Sequence, residues 1–241
     1  MIMFLFSFVS FSCRAQEMNL DEILSKYYQA IGMTHIKEWK TLTMTFKSSN
    51  AGIEYPFVAI TKRPGKLRSE MEIQGNKMIQ AFDGHAGWII SPWSGSSDPR
   101  DMTADDVKFM KEQADMDGAL VDWKEKGHKV ELIGKEDMEG TPAYKIKIIK
   151  ANGDIETDFI DAENFVPIKV SSVSKVQGND VEGDSYPGNY KEVNGAMLPF
   201  LIENKFKGQN GEVNTQHILI EKYEVDKPVD DSLFVKPAKK H

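Results

Sequence analysis

Apolar and polar positions alternate with a period of two through most of this chain, the pattern of antiparallel strands with one wet face. Leu42, Met44 and Phe46 alternate with Thr41, Thr43 and Thr45. Ile53, Tyr55, Phe57 and Ala59 form the next apolar row, which runs into a turn at Lys62-Arg63-Pro64-Gly65. Leu67, Met71 and Ile73 alternate with Arg68, Glu70 and Glu72. Two short apolar runs then flank Asp83-Gly84, a strong hairpin signal because the tight turn needs residues that tolerate positive φ. The hairpin offers Phe82, Trp88 and Trp93 as one aromatic wall, and Pro92 ends its second strand by removing a ladder donor.

A second meander repeats the pattern. Val130 and Leu132 lead to Tyr144, Ile146 and Ile148, which alternate with Lys145 and Lys147. Asn152-Gly153 makes a turn, Ile155, Thr157 and Phe159 follow, and Ile168 and Val170 continue. Gly178 to Gly188 is polar and reads as a loop. Tyr190–Gly195 closes a hairpin into Leu198–Phe206, and Val213–Val225 is the last long strand.

Helical spacing occurs in two places. Asn19 with Glu22 three residues on forms a capping box, Leu20, Ile23, Leu24, Tyr27 and Ile31 share a face, and Gly32 stops the helix. Between Ser94 and Gly127 the strand period disappears. Thr103 with Asp105 and Asp106 starts a second helix there, with Val107, Met110 and Ala114 on one face. Leu120, Val121 and Trp123 predict a further short helix. The expected fold is mainly β: an incomplete, half-open antiparallel barrel of about ten or eleven strands, covered by the N-terminal helix and a mid-chain helical lid (Val107, Met110, Leu120). Its concave apolar face must be covered by something.

The 241 residues, 40% hydrophobic, suffice for one substantial core. A net charge of −7 argues against a nucleic-acid partner. The run Met1–Ser12 is too short to span a bilayer and matches a signal-peptide core. Cleavage after Ala15 would leave residues 16–241 as a single domain in the periplasm. The alternative is a membrane-anchored lipoprotein acylated at Cys13, the only cysteine.

Catalytic signals are weak. The five histidines stand apart with no pair at ligand spacing, so neither a metal nor another cofactor is expected. Asp83 and His85 fit turn chemistry better than an acid–base pair. There is no Gly-x-Ser-x-Gly elbow and no phosphate loop. What remains is a lining. Met44, Met71 and Met78 fall on inward rows beside Phe46, Phe57, Phe82 and Trp88, with Leu42, Leu67 and Ile90. The second meander adds Tyr144, Ile146, Ile148 and Phe159. Methionine adapts to irregular guests, and such a concavity suits acyl chains. The same side chains could instead pack on the helices, and periodicity leaves both readings open.

Ile60-Thr61-Lys62-Arg63-Pro64, followed by Asp83-Gly84-His85-Ala86-Gly87-Trp88-Ile89-Ile90-Ser91-Pro92, resembles the LolA-like periplasmic lipoprotein carriers. There an apolar strand ends in Lys-Arg-Pro and a later pair reads Asp-Gly-x-x-x-Trp-x-x-x-Pro. The ending Asp231–Pro237 and the helix stopped at Ile31-Gly32 are similar to the same superfamily. The resemblance implies a half-barrel whose hydrophobic cavity receives lipoprotein acyl chains or free lipid, with inner- and outer-membrane transfer proteins as partners of a monomer. It makes Arg63 the latch that holds lid backbone. A guanidinium suits that role because its five donors never lose their charge. Two other functions stay open: an envelope sensor or interaction lipoprotein using its acidic face on a protein partner, and a hydrolase built on Asp83 and His85.

Overall fold

The computed structural model describes residues 18–50, 52–207 and 211–238. The expected signal segment 1–15, with Cys13, and the C-terminal residues 239–241 lie outside the described residues.

The thirteen strands of the described residues join one antiparallel sheet. The first half comprises Thr41–Asn50 (β1), Ile53–Lys62 (β2), Lys66–Ile73 (β3), Asn76–Phe82 (β4), Gly87–Ser91 (β5) and Ser96–Asp101 (β6). The second comprises Lys129–Met138 (β7), Thr141–Ile149 (β8), Ile155–Asp161 (β9), Pro167–Val176 (β10), Asn179–Val193 (β11), Ala196–Lys207 (β12) and Val213–Val225 (β13). The spatial order runs from β6 down to β1, then from β13 down to β7. β1 therefore pairs with β13, which joins the two meanders, while among the described residues β6 and β7 are the edges and the barrel stays open.

Two strands exceed the sequence expectation. Ser96–Asp101 is β6, and the polar Gly178–Gly188 stretch belongs to the fifteen-residue β11. Neither shows apolar alternation. Main-chain pairing with the neighbours holds them instead, β6 to β5 and β11 to both β10 and β12. Residues 120–123 form turns, not the expected short helix. Trp93 sits in a single 3-10 turn, half exposed, and joins no aromatic wall.

Three helices cover the inner face. Leu20–Ala30 (α1) carries the expected Asn19/Glu22 capping box, with reciprocal bonds of 2.9 and 3.0 Å. Gly32 at φ 70° ends it and starts a short second helix, Met33–Glu38 (α2). No other residue fits at Gly32, because a Cβ would sit 2.1 Å from the Gly195 carbonyl oxygen. Ile23, Leu24, Ile31 and Ile36 bury against Ile146, Ile148, Ile160 and Ala196, the main core. Ala104–Gln113 (α3) has its own capping box from Thr103 and Asp106 and packs Met110 and Ala114 on Leu67 and Phe82, a second core. Among the described residues no helix is long and apolar enough to cross a membrane.

Candidate functional site

Residues directly opposite in an antiparallel ladder share a face, so the register decides what points inward. One row crosses five strands as Ile220, Phe46, Phe57, Met71 and Met78. At about 4.8 Å per strand it spans about 19 Å. The Phe46 and Phe57 rings stack at 5.0 Å and 7°. Met44 lies on the same face, two residues before Phe46. Met44, Phe46, Phe57, Met71 and Met78 pack into neither core and stay partly exposed. This part of the expected lining is a partly exposed apolar surface about 13 Å along the strands from the row Leu42–Leu67–Phe82 that links the two cores.

The other expected lining residues have different places. Leu42, Tyr144, Ile146 and Ile148 pack in the core beneath α1, and Leu67 and Phe82 in the core beneath α3. Trp88 and Ile90 turn out to the convex face. The hairpin pairs Phe82 with Gly87, so Trp88 stands opposite Ala81 and shares its outward side. There its indole Nε1 donates to the Phe234 carbonyl at 2.8 Å and Arg68 lies over its ring at 5.5 Å. Phe159 also faces out, opposite Lys145 and Lys169, whose ammonium groups sit 5.3 and 5.4 Å from its ring centre. Its neighbours Glu156 and Asp158 face inward instead.

Of the expected lid residues, Val107 and Met110 are on α3, while Leu120 joins the core under α1 and its carbonyl accepts from Tyr28 Oη at 2.6 Å. A cavity of about 860 Å³ lies under α3, lined by Arg63, Val107, Met116, Ala119, Lys150 and Glu156 among others. One side of α3 is tied down by apolar contact. The other side is tied by polar contacts: Lys108 to Asp154 at 2.6 Å, Glu112 to Lys150 at 3.0 Å and to Asn152 at 2.8 Å, and Asp105 to the Gln177 N–H at 3.0 Å. The helix thus bridges the opening between the two meanders.

Arg63 binds three separate groups. Its Nε donates to the Trp39 carbonyl at 2.9 Å and Nη2 to the Ile36 carbonyl at 3.1 Å. Both terminal nitrogens grip Asp117, at 2.7 and 2.6 Å. Burial raises the Asp117 pKa, but the Arg63 hydrogen bonds and charge outweigh it and hold the carboxyl below the usual carboxylate range. Arg63 is expected to hold the backbone of the mid-chain lid; the carbonyls it binds belong instead to the end of α2, and its tie to the turn after α3 runs through the Asp117 carboxylate.

Sequence reasoning also missed a buried charge network. Lys150 bridges Glu112 of α3 and Glu156 of β9, at 3.0 and 2.8 Å. Beyond Glu156 stands Asp158, 6% exposed, whose Oδ1 has no hydrogen-bond partner among the described residues. Burial and the adjacent Glu156 push its pKa well above the carboxylate range. Only strand parity could have flagged it, and Phe159 set that parity wrongly.

Asp83 Oδ1 accepts from the His85 and Ala86 backbone N–H groups, both at 2.8 Å. Partial burial opposes its charge, but these backbone bonds win and lower its pKa. The pair performs turn chemistry. Among the described residues no group of three His, Cys, Asp or Glu is placed to hold a metal.

Solved structures share this architecture. The fold is similar to a LolA superfamily protein from Nitrosomonas europaea, at TM-score 0.61 and 15% identity over 91% of this chain and 99% of that one. A DUF1329 family protein from Desulfovibrio piger gives TM-score 0.60 and 12% identity over 88% and 97%. An outer membrane lipoprotein-sorting protein domain from Vibrio parahaemolyticus gives 0.58 and 8% over 88% and 94%. At such identities the likeness establishes the fold, a LolA-like half-open barrel. No protein-family model matches the sequence, and no curated protein matches it.

Proposed function

We propose that this LolA-like half-barrel is a non-enzymatic carrier of the periplasm, which shields acyl chains of lipoproteins or lipids on its inner face. The observation that carries the reading is the row Phe46, Phe57, Met71 and Met78, apolar, partly exposed, and about 14 Å across its four strands. Each methylene moved from water onto such a surface gains about 0.8 kcal/mol, so a long chain binds without any charged contact. Met71 and Met78 bend to an irregular guest. The cavity under α3 adds room that a small helix movement would enlarge. The lipoprotein-sorting description of a structural neighbour supports the cargo class.

Loading and release follow from how the lid is held. α3 rests on greasy contact at one side and on ion pairs at the other, so it can swing about the apolar side when the polar side lets go. Arg63 ties the α2 carbonyls to Asp117 and keeps the lid turn against the N-terminal helices. Native mass spectrometry of the purified protein tests the reading: bound lipid or lipoprotein is expected, with uptake of a fluorescent fatty-acyl probe. A clean apo mass across preparations and no uptake would overturn it.

A further inference from the structure

Four residues beyond the Phe46 row, the inner face changes character. One register row crosses it as Asn50, Gln216, Asn204 and Ser185, on β1, β13, β12 and β11. Ser48, on the same face of β1, joins them. Gln216 Nε2 donates to Ser48 Oγ at 2.9 Å, and Asn204 Nδ2 donates to Gln216 Oε1 at 3.1 Å. Ser48 is 3% exposed, and Gln216, Asn204 and Ser185 are partly buried. Phe46 and Ile218 lie on one side of this band and Phe206 on the other, all facing inward. The band is therefore a polar step within an apolar surface, about 13 Å from the Phe46 row, with Ser48 about halfway between.

None of these side chains can carry charge. The hairpin ion pairs nearby, Lys175–Asp180 and Lys207–Glu182, stand on the outer face by the same register. A carboxylate or phosphate laid on the band would be desolvated with no counter-charge, which is costly. Unused donors remain after the internal bonds: the second amide N–H of Asn204 and of Gln216 and the Ser48 hydroxyl proton, beside the Asn204 Oδ1 as an unused acceptor. Those neutral donors can serve a group that only accepts.

We propose that this band recognises the uncharged carbonyls, ester or amide, that join fatty chains to their head, while the chains lie over the Phe46–Met78 row. The inference rests on the carrier reading and adds to it the chemistry of the linkage. The experiment titrates the full chain with a diacylglycerol and with its dialkyl ether of equal chain length. Two neutral hydrogen bonds correspond to about a tenfold preference for the ester. In the Asn204→Leu/Gln216→Leu variant, folding checked by circular dichroism, the ester-to-ether ratio is expected to fall to about one. If that variant does not fold, Ser48→Ala with Ser185→Ala repeats the test with the same expected fall. No preference in the wild type, or a preference that survives substitution, overturns this inference and leaves the carrier reading standing. Failure of both probes to bind at all overturns the two together.

Discussion

Replacing Arg63 with Leu should loosen the lid without unfolding the barrel. The substitution removes two carbonyl bonds to Ile36 and Trp39 and both contacts to Asp117. Stranding a fully buried charge costs about 3 to 5 kcal/mol. Here the Arg63 side chain is 30% exposed and that of Asp117 14%, so water recovers part of the loss. The lower end, about 2 to 3 kcal/mol, is the reasoned figure, a factor of about 30 to 150 in the open population. Asp117→Asn keeps an acceptor for Arg63 and leaves its carbonyl bonds, so it should cost only about 1 kcal/mol. The double variant should cost less than the sum of the two, because both remove one shared contact. Hydrogen exchange reads this directly. Amides of Met33–Glu38 and of residues 114–121 should exchange about 100-fold faster in Arg63→Leu, while those of the β11–β12 hairpin stay as they were. No local change, or an equal change in both regions, would refute the latch.

Other outcomes follow from the same contacts. Asp158 keeps its proton in the folded protein to higher pH than in the unfolded chain, so above about pH 4 the native state binds more protons and stability falls as pH rises. Asp158→Asn should therefore raise the melting temperature at pH 8 and flatten that dependence, and a lower melting temperature would contradict the assignment. Lys150→Met strands Glu156 beside Asp158 and should destabilise by about 3 kcal/mol in urea unfolding, whereas Glu112→Gln, which only frees α3, should cost about 1. Asp83→Ala should cost about 1 kcal/mol through its lost turn bonds, and His85→Ala close to nothing. A larger effect of His85 on any activity would reopen the acid–base reading.

Alternation made β1, β3 and β8 legible because apolar and polar side chains fall on opposite faces of each. The helix caps at Asn19 and Thr103 were legible because capping is local chemistry. β6 and the start of β11 were not, since backbone pairing alone holds them and leaves no apolar signature. Parity failed where a loop length or a second covering layer intervened. The four residues between Phe82 and Gly87 reverse the face of Trp88. Phe159 is buried outside under the stems of Lys145 and Lys169, so the strand's apolar side is not its inner side. The candidate lining could thus be read for the first meander, where Phe46, Phe57, Met71 and Met78 keep one register. In the second meander the same kind of row became core under α1. Asp117 and Lys150 act through contacts 54 residues away and between an α3 carboxylate and the sheet, which no local pattern encodes.

The most direct measurement uses a fatty-acyl probe carrying a diazirine along its chain, photolysed on the protein and mapped by peptide mass spectrometry. Labels should concentrate on Met44, Phe46, Phe57, Met71 and Met78. Labelling of the convex face around Trp88 and Phe159 instead, or none that an excess of unlabelled acyl ligand can compete away, would contradict a carrier whose cargo lies inside the half-barrel.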